Sequence, residues 1–539
     1  MSEAGVAEAS RAAPPSKTKS YLLRLASAPF LFLLGFYASL ISGFIMADEG
    51  WNLQVASRVL AGETLYRDIF FGATPLAVYL NSILLKIFGT ELLVLKAFGA
   101  LLFVFYALLA DRIAEQLCAS RGVRFCLALA LLIYCAPGLY SSYSALSILF
   151  FLACLSATLS WQQQVFAAKE GRNTQLESTA LMIIAGAAAG FCFASKQNTG
   201  LVTLVALMLT IIPTFFFGGL DRRQTLNANL LAVLAFILAA GIVLVPVWSS
   251  GGMQKFLDYG FTGKGRYLNF GAVSYFETLR LIFFFDRQAG LRNNLRQIYQ
   301  NSIALLPLST FLLLSITLIR VSKGARPQTV AVMTFACAAF LYIFPRVDSY
   351  HLALAAPALL IGLAHAWSRL GPQLSAHGRQ ILRACLCIWL VMGLYIALIG
   401  PLRRFANEGF HLSTLRHFRG VPMQASREDE IRRQIDGLLK AAEEDGQVFI
   451  ISRNAGFYYL ASGLKNPTPF DYPYVTAFGQ RGEAEVIESI SQHRLSAVCL
   501  DQTDDPQLQP RALVKYVQEN MKRGDDLGGC TMYHASAAP

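Results

Sequence analysis

Long apolar runs separated by short polar turns occupy most of the chain between residues 25 and 402, and this pattern predicts a bundle of membrane helices. A hydrocarbon core of about 30 Å needs roughly 20 apolar residues in a helix. Residues 25–47 begin with a charge-free run and form the first span. Residues 96–117 form the second, with Asp111 and Arg112 near its inner end. The run 125–168 is too long for one helix, and APGLYSSYS at 136–144 breaks it into a hairpin of two. Spans at 178–194, 199–218, 227–248, 302–318, 329–344, 350–367 and 381–400 bring the expected number to eleven.

Lys and Arg set the direction, because they collect in cytoplasmic connections. With the N-terminus inside, the inner segments hold Arg11, Lys17, Lys19 and Arg24, then Arg121 with Arg124, then Arg222 with Arg223. The short outer turns hold only Lys196 and Arg346. The expected organisation is a cytoplasmic tail at 1–24 and a membrane domain at 25–402, with outer loops at 48–95 and 249–300. An odd number of spans places residues 403–539 outside. Their pattern is that of a small α/β domain: strands at 446–452 and 496–502, helices at 454–462 and 482–493, and a turn-rich loop at 466–474.

The first outer loop is richer than a connection needs. Leu53, Val55, Ala56, Val59 and Leu60 share one helical face, with Asn52, Gln54 and Arg58 largely off it, as in an amphipathic helix lying on a membrane surface. Pro75 suits the start of a second helix.

Composition agrees with the membrane reading, since 55% of the residues are hydrophobic and 15% charged, against about 25% charged in soluble domains. Residues 1–402 hold 30 basic and 16 acidic side chains, so the basic balance lies in the membrane part. It reads as topology signal and contact with anionic lipid, not as a nucleic-acid surface. Eight cysteines fall in or beside apolar runs. Cys499 and Cys530 lie in the polar domain, where an oxidising compartment would let them pair.

The chemically unusual residues collect on the outer side. Asp48-Glu49 closes the first span, SKQNTG (195–200) and FPRVDSYH (344–351) are outer turns, and GFTGKGRYLNF (260–270) lies in the long outer loop. Charged residues at membrane depth are costly and tend to line cavities, so four such segments suggest one polar chamber. Each has a plainer reading: a helix flank, a snorkelling Lys196, an Arg346–Asp348 ion pair with His351 capping a helix, and a Gly-rich turn.

Taken together, these segments resemble the GT-C superfamily, polyprenyl-phosphate-sugar-dependent glycosyltransferases related to the protein O-mannosyltransferases and the aminoarabinose transferases of lipid A. The resemblance rests on DE after a helix, then W…A…L..G..LYRD.FFG..P…Y, a Lys-Gln-Asn turn, and PR.D.YH. It implies a GT-C-type membrane domain with an extracytoplasmic C-terminal domain. It also implies a polyprenyl-phosphate-linked sugar donor, an acceptor hydroxyl on a glycan, lipid or protein, and inversion at the anomeric carbon. Asp48, with Glu49 beside it, takes the role of general base or of ligand to a divalent metal, Mg or Mn. Lys196, Arg346, Lys264 and Arg266 become candidate phosphate ligands, with His351 donating to phosphate or acceptor. Asp348, Tyr350, Gln197, Asn198, Tyr143 and Tyr66 become candidates for orienting substrate. Many members carry an acid in the second outer loop. PGLYSSYS has none here, and Tyr140 and Tyr143 stand in its place. A lipid-borne donor also accounts for the lack of a nucleotide-binding Gly-rich turn. Two other readings share this chamber: a flippase for a lipid-linked glycan, and a non-catalytic membrane partner of a glycan pathway.

Overall fold

The computed structural model describes residues 17–169, 175–218, 222–264, 272–286, 288, 290–442, 446–492, 494–504, 506–527 and 529–535. The chain opens with α1 (Lys17–Ile41). Gly43 then takes a left-handed φ of 85°, a conformation that costs glycine little. The chain restarts as α2 (Met46–Leu60), bent 115° from α1. The helix α1 has 25 residues, and the Gly43 turn sets α2 off from it. The helices α3 (Leu76–Phe88), α4 (Leu92–Gln116), α5 (Arg121–Cys135), α6 (Tyr143–Lys169), α7 (Gln175–Ser195), α8 (Gln197–Gly218) and α9 (Arg222–Ser249) follow. The long outer loop carries α10 (Met253–Gly260), α11 (Tyr275–Arg280) and α12 (Gly290–Asn301). The membrane domain ends with α13 (Leu305–Arg320), α14 (Arg326–Leu341), α15 (Ser349–Leu370), α16 (Ala376–Leu394) and α17 (Gly400–Asn407).

Each of the eleven expected spans falls on a helix, but the number that can cross is smaller. Among the described residues eight helices are long and apolar enough, or nine if the bent α1–α2 pair is one span. The helices α5 and α14 have only 15 and 16 residues. At about 1.5 Å per residue they fall short of a full core. Small residues let the bundle close tightly. A Cβ on Gly186 would lie 2.2 Å from the Ala232 carbonyl oxygen, and one on Gly190 would lie 2.5 Å from that of Phe236. Close backbone approach of this kind replaces the hydrophobic drive that lipid cannot supply.

The C-terminal region begins with a hairpin of β1 (Phe410–Leu412) and β2 (Pro422–Gln424), followed by α18 (Ala425–Ala441). Its main sheet comprises β3 (Phe449–Ile451), β4 (Ala497–Asp501), β5 (Met521–Asp526) and β6 (Cys530–Ala535), in the order β3-β4-β6-β5. Only β3 and β4 pair in parallel, crossing over through α19 (Ala455–Ser462) and α20 (Gly482–Ser491), while α21 (Arg511–Asn520) precedes β5. The two strands and two helices expected between 446 and 502 are present. A disulfide joins Cys499 of β4 to Cys530 of β6.

The helix α2 is not a membrane-surface helix. Glu49, Trp51, Asn52, Leu53, Gln54, Val55, Ala56 and Arg58 are all buried, so both its faces are covered. One of the covers is α19 of the C-terminal region. A Cβ on Gly50 would meet Phe457 at 2.8 Å, and one on Gly456 would meet the Trp51 backbone at 2.9 Å. The polar set that seemed to face water is satisfied internally. Arg58 pairs with Glu63 at 2.6 Å and Asp471 at 2.8 Å and donates to the Thr468 carbonyl, while Gln54 also reaches Asp471. An amphipathic pattern marks a face that differs from its opposite, and here a buried hydrogen-bond network replaces the expected solvent.

Candidate functional site

Asp48 and Glu49 sit in the first turn of α2, where the helix dipole favours negative charge. They are neighbours with different surroundings. Glu49 is fully buried, accepts from the Ile45 backbone N–H, and pairs at 3.0 Å with Lys96, which is also fully buried. Lys96 Nζ further donates to the carbonyls of Gly43 (2.9 Å) and Ser39 (3.3 Å). This pair ties the end of α1, the glycine turn and the start of α2 to α4. Asp48 is half-buried, and among the described residues its carboxylate has no hydrogen-bond or ion-pair partner. Burial pushes its pKa up, the charges of His351 and Arg346 pull it back in part, and Asp348 adds a little repulsion.

Arg346 and Asp348 come from the turn before α15, and His351 from its first turn. Asp348 caps α15 by accepting from the His351 backbone N–H at 2.9 Å, a use that suits aspartate at a helix start. The same carboxylate binds His351 Nδ1 at 2.7 Å and Arg346 Nε at 2.7 Å. Burial raises the Asp348 carboxyl, but the His351 and Arg346 bonds outweigh it and leave the group well below the usual carboxylate range. The long outer loop straps this turn in place. Val273 N–H donates to the Pro345 carbonyl, Val347 N–H donates to the Val273 carbonyl, and Thr278 Oγ1 donates to the Val347 carbonyl. Tyr350 and Tyr140, which interact with each other, both lie within electrostatic reach of Asp48. They also border an apolar cleft with Tyr106, Tyr134, Leu354 and Pro357.

The remaining candidates divide. Lys196, between α7 and α8, donates to Ser144 Oγ at 3.2 Å and stands 5.7 Å above the Tyr143 ring. Tyr143 in turn contacts Trp51 and Phe71, so Lys196 is one ring removed from α2. Gln197 is buried and donates to the carbonyls of Gly72 and Gly260, tying two outer loops together. Asn198 donates to the Tyr342 carbonyl. Tyr66 is fully buried at a left-handed φ of 69° and donates to the Ala73 carbonyl at 2.6 Å. It holds its own turn. Lys264 closes a short 3-10 turn, and its side chain and Arg266 lie outside the described residues.

Two contributors escape sequence reasoning. Lys96 looks like an ordinary interfacial lysine at the edge of a span, and only its position relative to Glu49, 47 residues away in the chain, marks it as internal. Tyr472 belongs to the C-terminal loop at 466–474, yet it lies against Trp51 at 5.3 Å and within electrostatic reach of Asp48. The LYRD and FDYPY stretches signal turns, and no local pattern says that they meet.

The residues present do not fit a divalent cation. Glu49 is committed to Lys96, Asp348 is committed to Arg346 and His351, and Asp48 has Arg346 and His351 beside it. Among the described residues no three His, Cys, Asp or Glu side chains form a group able to hold a metal.

No protein-family model matches the sequence, and no curated protein matches it. Solved membrane proteins do match the structure. ArnT from Cupriavidus metallidurans bound to undecaprenyl phosphate aligns with a TM-score of 0.56 at 15% identity, over 97% of this chain and 99% of that one. The archaeal oligosaccharyltransferase AglB from Archaeoglobus fulgidus, in complex with an inhibitory peptide and a dolichol-phosphate, aligns at 0.54 and 12% identity, over 97% of this chain and 75% of that one. The Archaeoglobus fulgidus oligosaccharyltransferase in complex with Zn and sulfate aligns at 0.51 and 12% identity, over 88% and 67%. The likeness runs through the membrane helices and into the C-terminal region, and the chain is a multi-pass membrane protein with the GT-C fold.

Proposed function

We propose that this chain moves a sugar from a polyprenyl phosphate to an acceptor hydroxyl at the membrane face that carries the C-terminal domain. The observation that supports it most is the placement of Asp48: an unpaired carboxylate beside Arg346 and His351, in a fold shared with proteins solved with lipid phosphates. Asp48 takes the proton of the acceptor hydroxyl as its oxygen attacks the anomeric carbon. The bond from that carbon to the phosphate oxygen breaks, and its electron pair leaves with the phosphate. Arg346 and His351 meet the charge that gathers there, the kind of preorganised stabilisation that supplies much of an enzyme's rate. Asp348 orients His351 through its Nδ1. A single displacement inverts the anomeric carbon. The apolar cleft beside Tyr140 and Tyr350 suits the first isoprene units of the lipid.

The test is label transfer from a panel of undecaprenyl-phosphate monosaccharides to an envelope extract by the purified full chain, with release of undecaprenyl phosphate. If no donor in the panel is consumed, the reading fails. The phosphate assignment is tested separately by native mass spectrometry with undecaprenyl phosphate. Arg346→Gln and His351→Gln should each weaken binding about tenfold, the size of one lost charge-assisted hydrogen bond. Affinities equal to wild type would remove both residues from the phosphate site.

The same reading places the C-terminal domain outside the cytoplasm, on the outer side of the inner membrane. The Cys499–Cys530 bond fits an oxidising compartment. Protein isolated with thiols trapped and then denatured should expose eight alkylatable cysteines, and ten after reduction. Ten in both samples would place the domain in a reducing compartment.

A further inference from the structure

We propose that the C-terminal domain completes the acceptor half of the site, and that the acceptor is a saccharide whose ring rests on Tyr472 and Tyr143. This deepens the transferase reading and rests on Asp48 acting as the base.

Two groups of side chains stand near Asp48. One holds Arg346, from the turn before α15, and His351, from its first turn. The other is aromatic, and its Tyr472 lies within electrostatic reach of Asp48. Trp51 of α2 lies 5.2 Å from Phe71, 5.3 Å from Tyr472 and 6.5 Å from Tyr143, and Tyr474 stands 4.6 Å from Tyr472. Lys196 stands 5.7 Å over the Tyr143 ring. With Arg346 and His351 assigned to the phosphate, the aromatic group is left for the acceptor.

That group suits a sugar ring. A pyranose offers a flat C–H face and a rim of hydroxyls, which match aromatic faces and phenolic hydroxyls respectively. Tyr143 and Tyr472 supply the faces, and Tyr143, Tyr472 and Tyr474 are half-buried and carry hydroxyls. A further donor lies within the group. Trp51 is 8% exposed, and its indole N–H has no hydrogen-bond partner among the described residues. Buried indole N–H groups normally find one, and a sugar hydroxyl is a group of the right kind.

Tyr472 is also held firmly. Its neighbour Asp471 is fully buried and bonded to Arg58, Gln54 and Asn466. The Gly50–Gly456 contact locks α2 against α19 one step away. A substrate-contacting ring fixed by a supporting network is what a preorganised subsite requires.

The experiment uses the full chain in lipid nanodiscs. Saturation-transfer NMR is recorded with methyl glycosides of glucose, galactose, mannose and N-acetylglucosamine as probes, and with a Ser/Thr-containing hexapeptide for comparison. At least one glycoside should receive saturation at its ring C–H protons. Tyr472→Phe should keep that signal, and Tyr472→Ala should lower the affinity about fivefold or more, the size of one aromatic contact. Tyr472→Leu, which keeps bulk without a ring, should behave like the alanine variant at an unchanged melting temperature. Undecaprenyl phosphate binding should be the same in all four proteins. Absence of glycoside binding, binding of the peptide alone, or equal glycoside affinity in Tyr472→Leu overturns the saccharide site. Glycoside binding as expected without undecaprenyl phosphate binding upholds the saccharide site and sinks the transferase reading. The reverse pattern upholds the lipid donor and sinks the saccharide acceptor.

Discussion

Asp48→Asn is expected to abolish sugar transfer and to raise thermal stability in the same protein. The first effect follows from losing the base, which is worth about 10²- to 10⁴-fold in rate. The second follows from the cost of burying a carboxylate that has no bonding partner. Burial raises the folded-state pKa of Asp48, and Arg346 and His351 only partly offset it. A group whose pKa rises on folding stabilises the fold while protonated, below its unfolded value of about 3.9. That contribution is lost as pH rises through the folded value. At neutral pH the charged form is therefore a cost, and the neutral amide removes it. Melting curves of the two proteins should coincide near pH 4 and separate as pH rises, with the variant the more stable. The acid limb of the transfer rate should lie above the ordinary carboxylate range, because only ionised Asp48 accepts the proton. A variant that still transfers sugar ends the base assignment, and one that melts lower than wild type across this range ends the electrostatic account.

Lys96→Met should be the most destabilising single change near the site, at about 3–5 kcal/mol, because it leaves Glu49 buried without its partner. Both members of the pair are fully buried, and the lysine also serves the Ser39 and Gly43 carbonyls. The double variant Lys96→Met with Glu49→Leu removes both charges and should recover most of the loss, since apolar replacement of a whole buried pair is often near neutral. Thermal unfolding of the three proteins in detergent measures this. Equal losses in the single and double variants would mean that shape, not charge, matters there. Transfer by the recovered double variant would then report whether the pin also sets the position of Asp48. Weak transfer at normal stability assigns it that role.

The two carboxylates show why a sequence reading stops where it does. Asp48 and Glu49 are adjacent and nearly identical in chemistry, and both were sound candidates for catalysis. Their roles separate only because α2 starts where the Gly43 turn leaves it, with one side chain directed at Lys96 and the other left unpaired. Arg346, Asp348 and His351 lie within one six-residue stretch, so their mutual contacts were legible as a local motif. Gln197 and Asn198 carry suitable polar groups, but the backbone carbonyls that claim them come from distant segments. The α2 pattern misled for a related reason: periodicity reports that two faces differ, and says nothing about what covers each.

Apolar run length, the charge-free character of the spans, the GT-C-like motifs and the strand–helix order of the C-terminal domain came from the amino-acid sequence alone, because each depends on residues close together in the chain. The number of helices long enough to cross, the pairing of Glu49 with Lys96 and the approach of Tyr472 to Asp48 were decided by tertiary structure. Those depend on helix ends, glycine-permitted turns and close backbone contacts between segments hundreds of residues apart. Local propensity carries no record of distances that arise only when the chain packs against itself.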